Sequence, residues 1–213
     1  MSCITDAVEE MEKVTRGGTG CHDCNVKIER QPDAPMCQYV RGGVNLKVGF
    51  GGAAADVVTQ YPLETVTRIP FMFGAPLESP EQRTAACGIL SVVARFLCLC
   101  RRAQACGPED HDACFTNFRS VYDGKKIYVN GNLPPDLVRL LGKSSVSSPE
   151  DADVIAVGGD GLFSEEGLAL TDHYRGEKRN DLCRSCYRRC CHIPERRTLV
   201  PPLCPVSGSK QID

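Results

Sequence analysis

Fourteen cysteines among 213 residues carry most of the chemistry open to this chain. They are densest near the C-terminus, where Cys183-Arg-Ser-Cys186-Tyr-Arg-Arg-Cys190-Cys191-His192 is followed by Cys204-Pro205. A two-residue gap lets the thiolates of Cys183 and Cys186 face one metal from a single turn. Cys190 can return to the same centre, with Cys191 spare or in its place. A distant cysteine followed by proline is a common source of the fourth thiolate of an iron–sulfur cluster, here Cys204. The same four side chains could instead hold a tetrahedral zinc ion. Arg175 to Arg197 holds eight Lys/Arg against three Asp/Glu, a balance of +5. Positive charge of this kind favours thiolate over thiol and offsets an anionic cluster. The plainer reading is an exposed basic tail with incidental thiols.

A second group is Gly20-Cys21-His22-Asp23-Cys24, with Cys37 further on. Cys-x-x-Cys is also the redox dithiol motif, which usually opens a helix just after a strand. Here a glycine-rich turn precedes it and Val26 to Glu29 follows as a short strand. That order favours metal over thioredoxin-like chemistry, with His22 read as exposed. Three ligands leave a site one short of four, so Cys21, Cys24 and Cys37 are expected to form a second centre or to share one with the tail. Cys87, Cys98 and Cys100 fall in an apolar helix, where cysteine usually packs as a small hydrophobe. Cys98, Cys100 and Cys106 could also converge with Cys114 of the next helix.

Composition narrows the function classes. The chain is 42% hydrophobic and 24% charged, which excludes wholesale disorder. Its net charge of −2 argues against DNA binding by charge alone. No apolar run reaches the roughly 18 residues that span a bilayer. The acidic start MSCITDAVEEMEK has no apolar stretch, so the expectation is a cytoplasmic protein whose cysteines are thiols or ligands. A secreted chain with seven disulfides is the competing reading.

The elements that must position these groups follow from periodicity. Val44, Leu46, Val48 and Phe50 alternate with polar or small residues, a half-buried strand ended by Gly51 and Gly52. Tyr61 to Met72 reads as strand and loop. Ser79, Pro80 and Gln82 form a helix start with a capping box, and Ala85 to Cys100 is apolar nearly all round, as in a buried central helix. Arg101 and Arg102 suit its C-terminal dipole. A further helix is expected from near Pro108 to Gly124, with Cys114, Phe118, Val121 and Tyr122 on its apolar face. Then come a strand at Ile127 to Val129, a helix at Pro134 to Leu141, a strand at Ala152 to Val157 and a helix at Ser164 to Leu170. Strand and helix alternating at this spacing predict a parallel α/β unit. The expected organisation is a cysteine-rich segment over 1–43, an α/β segment over 44–124, a Rossmann-like βαβα unit over 125–174 and a metal-binding tail over 175–213.

Gly158-Gly159-Asp160-Gly161 ends the second of those strands. Such a loop can offer backbone N–H groups and a helix N-terminus to phosphate. The chain has neither G-x-G-x-x-G nor G-x-x-x-x-G-K-[ST], and Asp160 would repel phosphate, so a tight turn is the better reading. Asp160, Glu165 and Glu166 are candidate acid–base groups by position only.

The stretch from Gly74 to Gly167 resembles a family of uncharacterised heavy-metal-chelation proteins. PLESPEQRTAACGILSVVARF is similar to that family's helix of small residues, and GKKIYVNGNLPPDLVRLL with EDADVIAVGGDGLFSEEG to its two strands and glycine-rich turn. The resemblance implies a Rossmann-like fold, metal handling in its crevice, and Gly158 and Gly159 as the crevice loop. The cysteine clusters depart from the family's pattern.

The function expected is that of an iron–sulfur protein of an anaerobic cytosol, with a 4Fe–4S cluster, serving metallocofactor assembly, metal delivery or electron transfer with a protein partner. The alternatives are a zinc-stabilised module docking a protein or RNA, and an enzyme acting on a small phosphorylated ligand at Gly158 to Gly161.

Overall fold

The computed structural model describes residues 2–16, 24–32, 40, 42–99, 111–174 and 179–182. The chain begins with helix α1 (Cys3–Arg16), then strands β1 (Asn25–Gln31), β2 (Val44–Phe50), β3 (Ala53–Thr59) and β4 (Thr65–Arg68). Helices α2 (Pro80–Phe96) and α3 (His111–Val121) follow. The remaining elements are β5 (Ile127–Gly131), α4 (Pro135–Leu141), β6 (Ser145–Val146), β7 (Val154–Gly158), α5 (Glu165–His173) and β8 (Arg179–Leu182). Four strands make an antiparallel sheet in the order β3-β2-β1-β4. Four make a parallel sheet in the order β6-β5-β7-β8. The fold is therefore mixed α/β.

Each layer follows from local chemistry. Alternation puts Val26 and Ile28 of β1 and Leu46, Val48 and Phe50 of β2 on the face that packs under α2. Gly51 (φ 55) and Gly52 (φ 82) join β2 to β3 through a two-residue turn that needs positive φ at both positions. β3 was not expected as a strand, because Ala53, Ala54, Ala55 and Asp56 have low strand propensity. Pairing with β2 and burial of Ala55 and Val57 hold it extended.

α2 starts as its sequence demands. The Ser79 hydroxyl accepts from the Gln82 N–H, and the Gln82 side chain accepts from the Ser79 N–H. Its end differs from the expectation. The helix stops at Phe96, so Cys98 lies beyond it and is exposed. Cys98 takes φ 57 and donates its N–H to Arg95 O, while Leu99 N–H donates to Ala94 O. This is a Schellman closure with cysteine where glycine is usual, and left-handed backbone costs an L-residue about 1–2 kcal/mol. Helix-end positive charge comes from Arg95, whose Nη1 donates to Ala54 O at 2.8 Å.

One core joins the layers. Ile155, Val157, Leu162 and Phe163 of the parallel layer pack in the same cluster as Leu46, Val48, Leu90 and Val93. α1 belongs to it through Ile4, Val8 and Met11, so residues expected only as a cysteine-rich segment supply core. A second cluster, including Phe118, Tyr122, Leu137 and Val154, seats α3 and α4 against the parallel sheet.

Because the two sheets share apolar contacts, they should unfold together. Phe163→Ala, at a fully buried position, is expected to destabilise the protein by about 3–5 kcal/mol. Urea denaturation followed by far-ultraviolet circular dichroism and by tyrosine fluorescence should give one coincident transition, shifted to lower urea in the variant. Two separated transitions would show that the layers are independent.

Candidate functional site

The structure arranges functional groups at two opposite ends of the antiparallel sheet. At one end, Thr59 Oγ1 lies 3.4 Å from Thr84 Oγ1 in the first turn of α2. The next residue, Gln60, donates its N–H to Asp160 Oδ2 at 3.1 Å. The carboxyl ends of β5 and β7 are therefore at this end. So is Leu182, the last residue of β8, whose register partner is Val157. At the other end are the Gly51–Gly52 turn, the Phe96 ring packed edge-on against Phe50 (centroids 4.9 Å apart), and the start of β1.

The Gly158–Gly161 segment is a tight turn closed by Gly161 N–H to Gly158 O at 3.0 Å. Asp160 is only 6% exposed, and its second oxygen lies at a long 3.5 Å from Asn132 Nδ2. Glycine is required here by close packing. A Cβ on Gly158 would lie 2.4 Å from Leu133 Cδ2, and one on Gly167 would lie 2.0 Å from Gly161 O. Leu162 and Phe163 continue the buried run. Ser164 caps α5 through its hydroxyl, which accepts from Gly167 N–H. Two glutamates, Glu165 and Glu166, occupy the first turn, so a phosphate would meet three carboxylates with Asp160. A cavity of about 210 Å³ lies instead near the amino end of β5, lined by Phe118, Tyr122, Ile127, Leu141 and Lys143 among others. The turn reading of the loop thus has the geometry behind it.

Sequence reasoning passed over Arg83. It is 2% exposed, yet charged. Its Nε donates to Phe163 O (2.8 Å), its Nη1 to Leu77 O (3.1 Å) and Glu78 O (2.9 Å), and its Nη2 pairs with Glu165 Oε1 at 2.5 Å. The signal available was an arginine one turn into a helix whose following residues are mostly apolar. Asn130 was also passed over. It is 8% exposed, reaches Glu166 through Nδ2, and its Oδ1 has no hydrogen-bond partner. The shifted titrations lie on the surface. A hydrogen bond from Lys27 holds the Glu29 carboxyl below its usual value, and one to Glu10 raises Lys13.

Of the expected thiolate ligands, Cys24 is described and exposed, immediately before β1. Cys21, Cys37, Cys183, Cys186, Cys190, Cys191 and Cys204 lie outside the described residues, as do Cys100 and Cys106. Cys87 is buried in the core, as expected, and Cys114 is carried on α3. Among the described residues no group of three or more His, Cys, Asp or Glu is arranged to hold a metal ion. Nor is any helix among them long and apolar enough to cross a membrane.

Together these features define a mixed α/β protein whose parallel sheet ends in a closed, acidic turn. No protein-family model matches the chain, and no curated protein and no solved structure matches it.

Removing Arg83 should be costly, because three carbonyls and a carboxylate depend on it. Arg83→Met is expected to destabilise by about 1–3 kcal/mol for each buried carbonyl left without its donor, whereas Glu165→Gln should cost under about 1 kcal/mol, because Glu165 is 75% exposed and the amide oxygen can still accept from Nη2. Urea midpoints of the two variants test the ranking. Equal losses would mean that the ion pair, and not the carbonyl contacts, holds the guanidinium.

Proposed function

We propose that this protein is a thiolate metal-binding protein of the iron–sulfur type, acting in metallocofactor assembly, metal delivery or electron transfer. The centre is assigned to Cys183, Cys186, Cys190 and Cys204, with a 4Fe–4S cluster as the first choice and zinc as the second. The observation that carries the reading is β8. It pairs in parallel with β7 and ends at Leu182, one residue before Cys183. Consecutive Cα atoms are about 3.8 Å apart, so the thiolate segment starts from the carboxyl end of a parallel sheet. Ligands of open α/β sheets bind beyond that end.

Two further points support the reading. The tail has few apolar residues and many like charges, so it cannot build a core of its own; metal ligation couples directly to the folding of such segments. The resemblance of Gly74–Gly167 to heavy-metal-chelation proteins points the same way, and the helix-flanked parallel strands agree with a Rossmann-like unit. A cytosolic, reducing setting follows from thiols serving as ligands. The partner would be a protein that receives or donates the metal or its electrons.

Anaerobic purification with iron, sulfide and zinc analysis tests the assignment. A brown protein with iron and sulfide is expected, and a colourless one with zinc alone would select the zinc module. The Cys183→Ser/Cys186→Ser variant should lose the metal and be cut rapidly by trypsin at Arg184, Arg188 and Arg189, with the α/β layers still folded. Equal cutting of variant and wild type, with no metal lost, would leave the tail as an exposed basic segment.

A further inference from the structure

The cavity at the amino end of β5 belongs neither to the glycine-rich turn nor to the cysteine-bearing segments. Two helix ends make it. After α3 the chain turns, with Tyr122 N–H donating to Phe118 O (3.2 Å) and Lys125 N–H to Tyr122 O (3.1 Å), and then enters β5 at Ile127. α4 ends at Leu141, and Gly142 (φ 44, ψ −116) turns the chain aside toward β6. That backbone conformation suits glycine. A Cβ at Gly142 would meet nothing within 4 Å, so the space at the α4 end is open. The inner wall between the two ends is apolar. Phe118, Tyr122, Ile127 and Leu141 line it and are all buried, and the Phe118 and Tyr122 rings lie 4.7 Å apart. The mouth is charged. Arg119, Asp123 and Lys143 line it and are exposed.

Size and charge together select a ligand. The volume of about 210 Å³ exceeds the roughly 150 Å³ that admits benzene to an apolar cavity. It falls below the roughly 300–1,000 Å³ of sites for drug-sized molecules, so a nucleotide is too large. The space suits one benzene-sized ring or a short branched chain. Two cations face one carboxylate at the mouth, which favours an anionic head group. Arg139 on α4 is paired with Asp136, whereas Arg119 and Lys143 have no ion pair or hydrogen bond among the described residues. Cations near helix C-termini offset the dipole, which accounts for the charges but not for the apolar hollow between them. A guanidinium matches a carboxylate through two parallel hydrogen bonds. We propose that this cavity binds a small carboxylate with an apolar, ring-sized body. The body lies against Phe118, Tyr122, Ile127 and Leu141, and the carboxylate faces Arg119 and Lys143. The site uses none of the cysteines, so it stands or falls separately from the metal-binding reading.

Titration of the full chain with benzoate and with isovalerate, followed by saturation-transfer NMR, tests the site. At least one of the two should bind saturably. Benzyl alcohol, which keeps the ring and lacks the charge, should bind about tenfold more weakly than benzoate, and benzylamine more weakly still. Arg119→Glu and Lys143→Glu should each lower carboxylate affinity by about tenfold with the urea midpoint unchanged, since both side chains are exposed. Leu140→Trp, which fills the cavity from its half-buried rim, should abolish binding with the far-ultraviolet circular dichroism spectrum retained. The charge variants decide the matter if the filled variant does not fold. No saturable binding of either carboxylate overturns the proposal. So does benzyl alcohol or benzylamine binding as tightly as benzoate, carboxylate affinity unchanged in both charge variants, or binding that survives in a folded Leu140→Trp.

Discussion

The buried guanidinium of Arg83 is the contact on which the arrangement of the layers turns. A charge with so little exposure is tolerated only when its donors are satisfied, and here the partners come from separate parts of the chain. Leu77 O and Glu78 O belong to the approach to α2, Phe163 O to the turn after β7, and Glu165 to the start of α5. The one side chain therefore fixes the first turn of the central helix against the carboxyl end of the parallel sheet. Phe163, held by its carbonyl, then fills the apolar core that both layers share.

The same constraint explains why the glycine-rich turn is closed. Its backbone is drawn toward α2 at Phe163 and toward β3 through Asp160, which accepts from Gln60 N–H. Glycines allow the approach, since any Cβ at Gly158 or Gly167 would overlap a neighbour. Chain folded this tightly leaves little room for a phosphate and surrounds it with carboxylates. The proposed thiolate centre draws on residues beyond Leu182 and not on this turn.

The orientation of α2 also separates the thiols. Its N-terminus is pinned near Asp160 and Phe163, and its C-terminus near Ala54 and Gly51. Cys98, two residues past α2, and Cys24, just before β1, thus lie at one end of the sheet, and β8 ends at the other. Chain order alone groups Cys24 with Cys37. The β1 strand between them spans about 20 Å for its seven residues and carries the chain to the opposite end.

Local chemistry was enough for the capping box at Ser79, the strand from Val44, the helix at Ser164 and the alternation of strands and helices after Gly124. Each of these rests on spacing or on a residue's own backbone preference, which is present before the chain folds. The core role of Cys87 was legible for the same reason. Three features were not. β3 is extended because β2 pairs with it, against the propensity of its alanines. β8 lies in a polar, basic stretch without period and is a strand because β7 offers a free edge. α2 ends at Phe96 because Cys98 turns left-handed, although the apolar run continues. The partners of the buried Arg83 side chain depend on contacts between residues as much as 82 positions apart. A sequence shows which groups can make such contacts; only the packed layers decide which of them meet.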